Sequence, residues 1–474
     1  MNTWDRTCRH SIVGAAFLLA IVPHGVAQCE LAKLVADDAE PRRAFGKSAA
    51  ISGHVAIIGS PWVSSPPAVG SAYIFERIGG NWTQVVQLEA GDTIPYDGFG
   101  DAVALVANVA VVGAPADDVY GATSGSAYIF RFDGDEWVKE AKLIPDDGHA
   151  NDFFGAALAI EGNTIVVGAP WRGAAYVFEG AADDTWLQVA KLLPSDPPYW
   201  EFGLAVAVSG HVIVVGSNND DDLGNWSGSA YVFERSTDGV WERVAKLFGH
   251  DTGGFDSFGQ SVSVSGDTIL VGAPGAEGHA PSSGAAYVFE READAVWSEV
   301  AKLIADDGEI SEYFGGSAAL SGGVAVIGAR WDDPQGFDSG SAYIFVRRPE
   351  ATWTQVAKIW ADDGDEDDFF GDAVAVDESI AVIGAWKDEP NGYNSGSAYI
   401  FAVGPDGDGD GVMDACECPG DLNHDWIVDY LDVLVLLEDW GCTAGDCPGD
   451  CDGDGDTDQA DLGLLLANWG NVCP

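Results

Sequence analysis

The chain has 474 residues and a formal net charge of −54, from 76 acidic against 22 basic side chains. That balance excludes nucleic acid and anionic membrane as partners, because both are bound by positive surface. Hydrophobic residues make up 47% of the chain, with 17 Trp, which excludes a disordered acidic polymer and leaves enough core for more than one domain.

At the N-terminus, Arg6 and Arg9 precede an apolar run over residues 11–22 and the small-residue stretch Gly25-Val26-Ala27. This is the pattern of a secretory signal peptide over residues 1–27, with cleavage after Ala27. The apolar run is too short to span a bilayer, and no transmembrane segment is expected elsewhere. A lipoprotein reading would instead use Cys29, here preceded by Gln28. The expected location is extracellular or at the cell surface. Apart from Cys8 and Cys29, all cysteines fall in one C-terminal cluster: Cys416, Cys418, Cys442, Cys447, Cys451 and Cys473. Disulfides in a small exported module are the expectation, with thiolate zinc as the other reading. Seven mature cysteines cannot all pair internally.

Residues 28–403 are an array. The phrase Gly-(Ser/Ala)-Ala-Tyr-(Ile/Val)-Phe occurs seven times, beginning at Gly70, Gly125, Gly173, Gly228, Gly284, Gly340 and Gly396. Each copy has a Phe-Gly pair upstream, at Phe45, Phe99, Phe154, Phe202, Phe258, Phe314 and Phe370, then a Gly-Ala-Pro-like turn, and a Trp-led segment downstream. Each unit reads as four short strands: a small-residue strand after Phe-Gly, an apolar strand, the Ala-Tyr strand and the Trp-led strand. Four strands per unit in tandem predict an all-β, seven-bladed β-propeller. Small residues suit the innermost strands near the axis. Lys142, Lys191, Lys246, Lys302 and Lys358, with Gln87 in the first unit, are expected to guard the exposed outer strands against edge-to-edge pairing. The seventh unit lacks its Trp-led strand, and residues 31–34 (Leu-Ala-Lys-Leu) match it. That segment is predicted to complete the last blade and close the ring, which would bring Cys29 near Cys416 and Cys418.

On its Phe-Gly and Gly-Ala-Pro landmarks the array resembles FG-GAP repeats, the blades of integrin α-subunit propellers and of many bacterial surface proteins. Integrin-type repeats often carry an Asp-x-Asp-x-Asp-Gly calcium loop between the first two strands. Here those links are tight turns such as Ser209-Gly210-His211 and Ser265-Gly266-Asp267, so calcium sites are not carried into the blades.

Acid gathers in the links expected on one face: Asp146-Asp147, Asp306-Asp307 and residues 362–368 in one set, Asp117-Asp118, residues 220–222 and Asp332-Asp333 in the other. The opposite links mix Arg77, Arg131, Arg235, Arg291 and Arg347 with acids. Two readings stand for the acidic face: a glycan or protein ligand, or a cation-bridged partner, bound there, or loop acid that serves solubility.

After residue 403 there is no Lys or Arg. Residues 404–419 hold Asp406, Asp408, Asp410 and Asp414, a linker that resembles a thrombospondin type-3-like calcium repeat. Residues 420–474 contain two loops at a 29-residue offset, each followed by an apolar helix-like run. Oxygen ligands at positions 1, 3, 5, 9 and 12 are Asp421, Asn423, Asp425, Asp429 and Asp432 in the first loop. In the second they are Asp450, Asp452, Asp454, Asp458 and Asp461, with Ile427 and Asp456 offering carbonyls at position 7. Hard oxygens at this spacing wrap Ca²⁺. The pair resembles a dockerin type I module, a small α-helical, EF-hand-like domain. That resemblance implies calcium-dependent docking to a cohesin-type protein partner. Trp426 stands at position 6, where Gly is expected, and Tyr430-Leu431 and Gln459-Ala460 replace the usual partner-reading hydroxyl residues. A calcium-stapled cap with no partner is the other reading.

No Gly-x-Ser-x-Gly, His-Glu-x-x-His or phosphate-cradling loop is present, and catalytic residues are not assigned. The leading expectation is a secreted, non-catalytic binding or adhesion protein. Its rival is a polysaccharide-degrading glycoside hydrolase or carbohydrate-binding component of a cellulosome-like assembly, since dockerins often accompany such enzymes and a pair of carboxylates at the propeller mouth would suffice.

Overall fold

The computed structural model describes residues 30–61, 69–181, 185–194, 201–292 and 296–403, together with Val433, Leu436, Leu437, Trp440, Leu462 and Leu465. The segment read as a signal peptide, every cysteine and all the calcium-ligand candidates, from Asp406 to Asp461, lie outside the described residues, and of the expected helical C-terminal domain only those last six residues are described.

Seven four-stranded antiparallel sheets are arranged as blades. Blade 1 is built of strands Ser48–Ser52, Val55–Ser60, Ser71–Ile78 and Asn81–Leu88. Blades 2 to 6 repeat the plan over residues 103–143, 157–192, 206–247, 261–303 and 317–359. Blade 7 takes three strands from residues 373–402 and its outermost strand, Glu30–Leu34, from the start of the described chain. That strand pairs antiparallel with Ser397–Ala402, setting Lys33 opposite Tyr399 and Leu34 opposite Ala398. The innermost strands contact one another in sequence, and the first meets the last, so the ring is closed. They line an axial channel of about 250 Å³ with Ala, Val, Leu, Ile and Ser side chains.

The core lies between blades rather than within them. Seven apolar clusters each join one blade to the next; in one, Ile57, Ile74 and Leu88 of blade 1 meet Phe99, Val112 and Tyr128 at blade 2. The Phe of every Phe-Gly pair is buried and sits edge-on or tilted against the Tyr and edge-on against the Phe of the following Ala-Tyr strand, as Phe99 does with Tyr128 at 5.5 Å and Phe130 at 6.1 Å. Edge-to-face pairing adds about 1 kcal/mol beyond area burial. The glycines permit the close fit. Gly100 has φ +94°, and a Cβ there would strike the Ser71 carbonyl oxygen, while one on Gly113 would strike the carbonyl of Gly155 in the next unit. The repeated landmark is therefore a blade-to-blade joint in which backbone touches backbone.

The outer-strand lysines do something other than guard an edge. In register each faces a buried Tyr: Lys142 and Tyr128, Lys191 and Tyr176, Lys246 and Tyr231, Lys302 and Tyr287, Lys358 and Tyr343. Their side chains are only about one-fifth to one-quarter exposed. Each ammonium lies over the ring and reaches upper-face carboxylates. Lys358 binds Asp307 at 2.6 Å and Asp332 at 2.7 Å, with Tyr343 hydroxyl donating to both acids. The expectation of edge protection is corrected on that ground: the charge is spent inside the blade.

Candidate functional site

Because neighbouring strands run antiparallel, the starts of the first and third strands and the ends of the second and fourth share one face. This upper face carries the acidic links foreseen in the sequence, and much of that acid is structural. Asp117 accepts from Ser126 and Tyr128 and pairs with Lys142; Asp220 does the same with Ser229, Tyr231 and Lys246. Asp147, Asp251 and Asp363 hold the Tyr-Lys pairs of their blades in the same way. Burial works against the charge of Asp220, but Lys246 and Ser229 win and hold the carboxyl below its ordinary range. For Lys246 burial again opposes the charge, and Asp220, Asp222 and Tyr231 raise its pKa all the same. In blade 1, Gln87 replaces lysine and the tyrosine hydroxyl is held by Asp38 and Gln87. On the lower face the arginines staple blades: Arg291 to Glu234, Arg235 to Glu179 and Arg347 to Glu290, each pair bridging adjacent blades.

What remains is the axial mouth. The residue before each Phe-Gly is in the left-handed region in all seven copies, and its identity changes from copy to copy: Ala44, Gly98, Phe153, Glu201, Ser257, Tyr313 and Phe369. The residue after each Phe-Gly varies too, through Lys47, Asp101, Ala156, Leu204, Gln260, Gly316 and Asp372. One backbone thus carries six residue types over seven copies at each of these two positions at the top of the channel. Bulky aromatics in the left-handed region are strained, where Gly would be relaxed, and such strain collects at functional positions.

These positions build two clusters. In the first, Phe153 stacks on Trp171 with centroids 5.3 Å apart, and Trp171 is 71% exposed. Beside them is a cavity of about 660 Å³ whose walls include Tyr96, Phe153 and Tyr393, with Arg42 and Asp101 as its charged groups. In the second, Tyr313 lies 4.5 Å from Trp331, and the Arg330 guanidinium covers the Tyr313 ring at 4.2 Å. Arg330 and Lys47 both bind Asp372, whose side chain is 3% exposed. Burial would raise the Asp372 pKa, but those two cations depress it. Asp101 is pushed up, first by burial and further by Asp372, with Lys47 only partly offsetting. Among the described residues no hydrogen bond reaches its carboxylate.

A third hollow, about 390 Å³, lies on blade 6 among Asp307, Glu312, Trp331, Asp332 and Lys358. Glu312 is buried, and its pKa is pushed up to about 7 by burial, against one hydrogen bond from the Glu309 amide, with Asp332 adding to the rise. Among the described residues no group of three or more His, Cys, Asp or Glu is arranged to hold a metal, and no helix is long and apolar enough to cross a membrane.

Sequence reasoning placed the acidic face and named the mouth without its residues. Lys47, Asp101, Arg330, Asp372 and the aromatics look unremarkable singly. Superposing the seven units and asking where they disagree would have found them.

Comparison with known proteins agrees with the geometry. The FG-GAP repeat model matches residues 29–75, 82–130, 137–178, 186–233, 241–289, 297–345 and 353–401. No curated protein matches. Among solved structures, that of a protein from Lactobacillus plantarum is similar at 13% identity and a TM-score of 0.49, over 71% of this chain and 90% of that one; nothing is built on so distant a likeness. With seven matches spread over most of its length, the chain belongs to the FG-GAP repeat family.

Proposed function

We propose that this is a secreted, non-catalytic binding or adhesion protein that recognises its ligand with the axial mouth of the upper face. Its Asp-rich C-terminal module docks or anchors it through Ca²⁺, to a cohesin-type protein or as a calcium-stapled cap. The observation that carries the reading is the divergence of side chains around the mouth on a backbone that otherwise repeats. The Tyr-Asp-Lys groups of the blades and the Arg-Glu pairs of the lower face are matched to one another, whereas the Asp101 carboxylate at the mouth has no hydrogen bond among the described residues. For the C-terminal module the support is the oxygen-ligand spacing from Asp421 to Asp432 and from Asp450 to Asp461.

The test is retention of the labelled full chain on insoluble polysaccharide and on protein matrix. A variant carrying F153S, W171S, Y313S and W331S should lose retention on whichever support binds. Unchanged retention would remove the mouth as the recognition face.

One observation favours a hydrolase as the second reading. At the mouth Asp101 is pushed up, chiefly by burial and further by Asp372, while Asp372 is held down by Lys47 and Arg330 against burial, the opposite directions that the acid and the ionised partner of a glycosidase require. Turnover on a polysaccharide panel that is abolished by D101N would replace binding with catalysis.

A further inference from the structure

Granting that the mouth is the recognition face, we infer that its 660 Å³ cavity is a subsite for a neutral carbohydrate chain, with sugar rings laid on Tyr96, Tyr393 and the Phe153-Trp171 stack and hydroxyls donating to Asp101.

The shape is the first reason. Two exposed aromatics, Tyr96 at 66% and Tyr393 at 59%, line one open cavity, and a third, Trp171 at 71%, stacks on its lining residue Phe153. Rings left in water at such exposure contribute nothing to the core, and Tyr96 holds its place at φ +81°, a conformation a tyrosine adopts only under constraint. An aromatic face is the negative side of a quadrupole. The axial C–H groups of a pyranose, polarised by the ring oxygens, present a flat, weakly positive patch of matching size.

Charge is the second reason. Asp101 is an acceptor with no hydrogen bond to its carboxylate among the described residues, so it asks for donors. Hydroxyl groups supply them. An anionic ligand is opposed by Asp101 and by the −54 net charge. A cationic ligand is opposed by Arg42 in the wall, whose guanidinium lies 5.7 Å from the Tyr393 ring centroid, and by Lys47, whose field already acts on Asp101. A neutral polyol with one apolar face satisfies both constraints. The cavity is open at the surface, and Trp171, stacked on the lining residue Phe153, offers a further ring beside it, which suits a chain better than a single sugar.

The experiment is calorimetric and fluorescence titration of the full chain with neutral tetra- to hexasaccharides, alongside a polygalacturonate oligosaccharide and a panel of uncharged and basic peptides. A neutral saccharide should bind and shift tryptophan emission. W171A, Y96A and D101N should each weaken it at least about tenfold, whereas L187A, on an exposed outer strand, should not. Absence of binding by every neutral saccharide overturns the inference, and so does binding that the three variants leave unchanged. A peptide that binds and is lost in the same three variants overturns the carbohydrate but keeps the mouth as the recognition face. No effect of those variants on any bound ligand overturns both.

Discussion

At the scale of single residues, the close contacts and buried charges make the sharpest predictions. A methyl group on Gly113 would occupy the space of the Gly155 carbonyl, and backbone on both sides cannot yield. G113A should therefore destabilise the protein by roughly 3 kcal/mol, read from denaturant midpoints. Glu312 and Asp368 are both pushed up to about 7, chiefly by burial. In the unfolded chain they release their protons near the ordinary carboxyl range, so the folded state holds protons that the unfolded state has lost. The stability this confers is complete below the unfolded pKa and disappears as pH rises through about 7. E312Q keeps an acceptor for the Glu309 amide and never ionises. It should flatten the fall in stability between about pH 5 and pH 8 and gain on the order of 1–2 kcal/mol at the upper end. Asp372 behaves oppositely. Its depressed pKa, set by Lys47 and Arg330 against burial, gives stability that is lost as pH falls below the ordinary carboxyl value. Thermal melts across pH, with and without D372N, should show the acid limb soften in the variant.

At the scale of the element, the Tyr-Asp-Lys arrangement decides how much an ion pair matters. Lys358 joins Asp332, only 7% exposed, to Asp307 and Tyr343. Lys191 joins Asp147, which is 45% exposed. Removing the first cation strands a buried carboxylate, whereas removing the second leaves one that water can solvate. K358M should cost about 2 kcal/mol and K191M well under about 1 kcal/mol, by chemical denaturation of the two variants. Equal effects would mean that the lysines act through their alkyl stems alone. The arrangement was half legible. Lysine at a fixed place on the Trp-led strand is visible in the repeats, but its tyrosine partner depends on strand register, and its carboxylates come from two earlier links, the one entering the blade and the one between its second and third strands.

At the scale of the whole molecule, closure and the C-terminal module are at stake. Deleting residues 30–34 removes the outer strand of blade 7 and the burial of Leu34, which packs with Phe45, Ile58 and Ile400 across the seam. The unfolding midpoint should drop further than for any single core substitution. Chelation of calcium in the full chain should leave the propeller transition in place and change only signals from residues 404–474, if the Asp421 and Asp450 loops hold the ion as their spacing implies. Loss of the propeller transition on chelation would place calcium in the blades.

The sequence by itself determined the number of blades, their four-strand plan and the closing strand. Those follow from a repeated phrase whose period and alternation admit one architecture, and local hydrogen bonding enforces it seven times over. It also showed where the acid lies along the chain. Only the tertiary structure decided what that acid does. Whether an aspartate faces a lysine, a tyrosine or open water depends on residues distant in the chain, 51 positions away for Lys302 and Asp251 and 330 across the seam for Lys33 and Asp363. The make-up of the mouth was hidden for the same reason. Its members are the residues at which the repeats differ, one or two from each blade, and only closure of the ring brings Lys47, Asp101, Arg330 and Asp372 to a common axis.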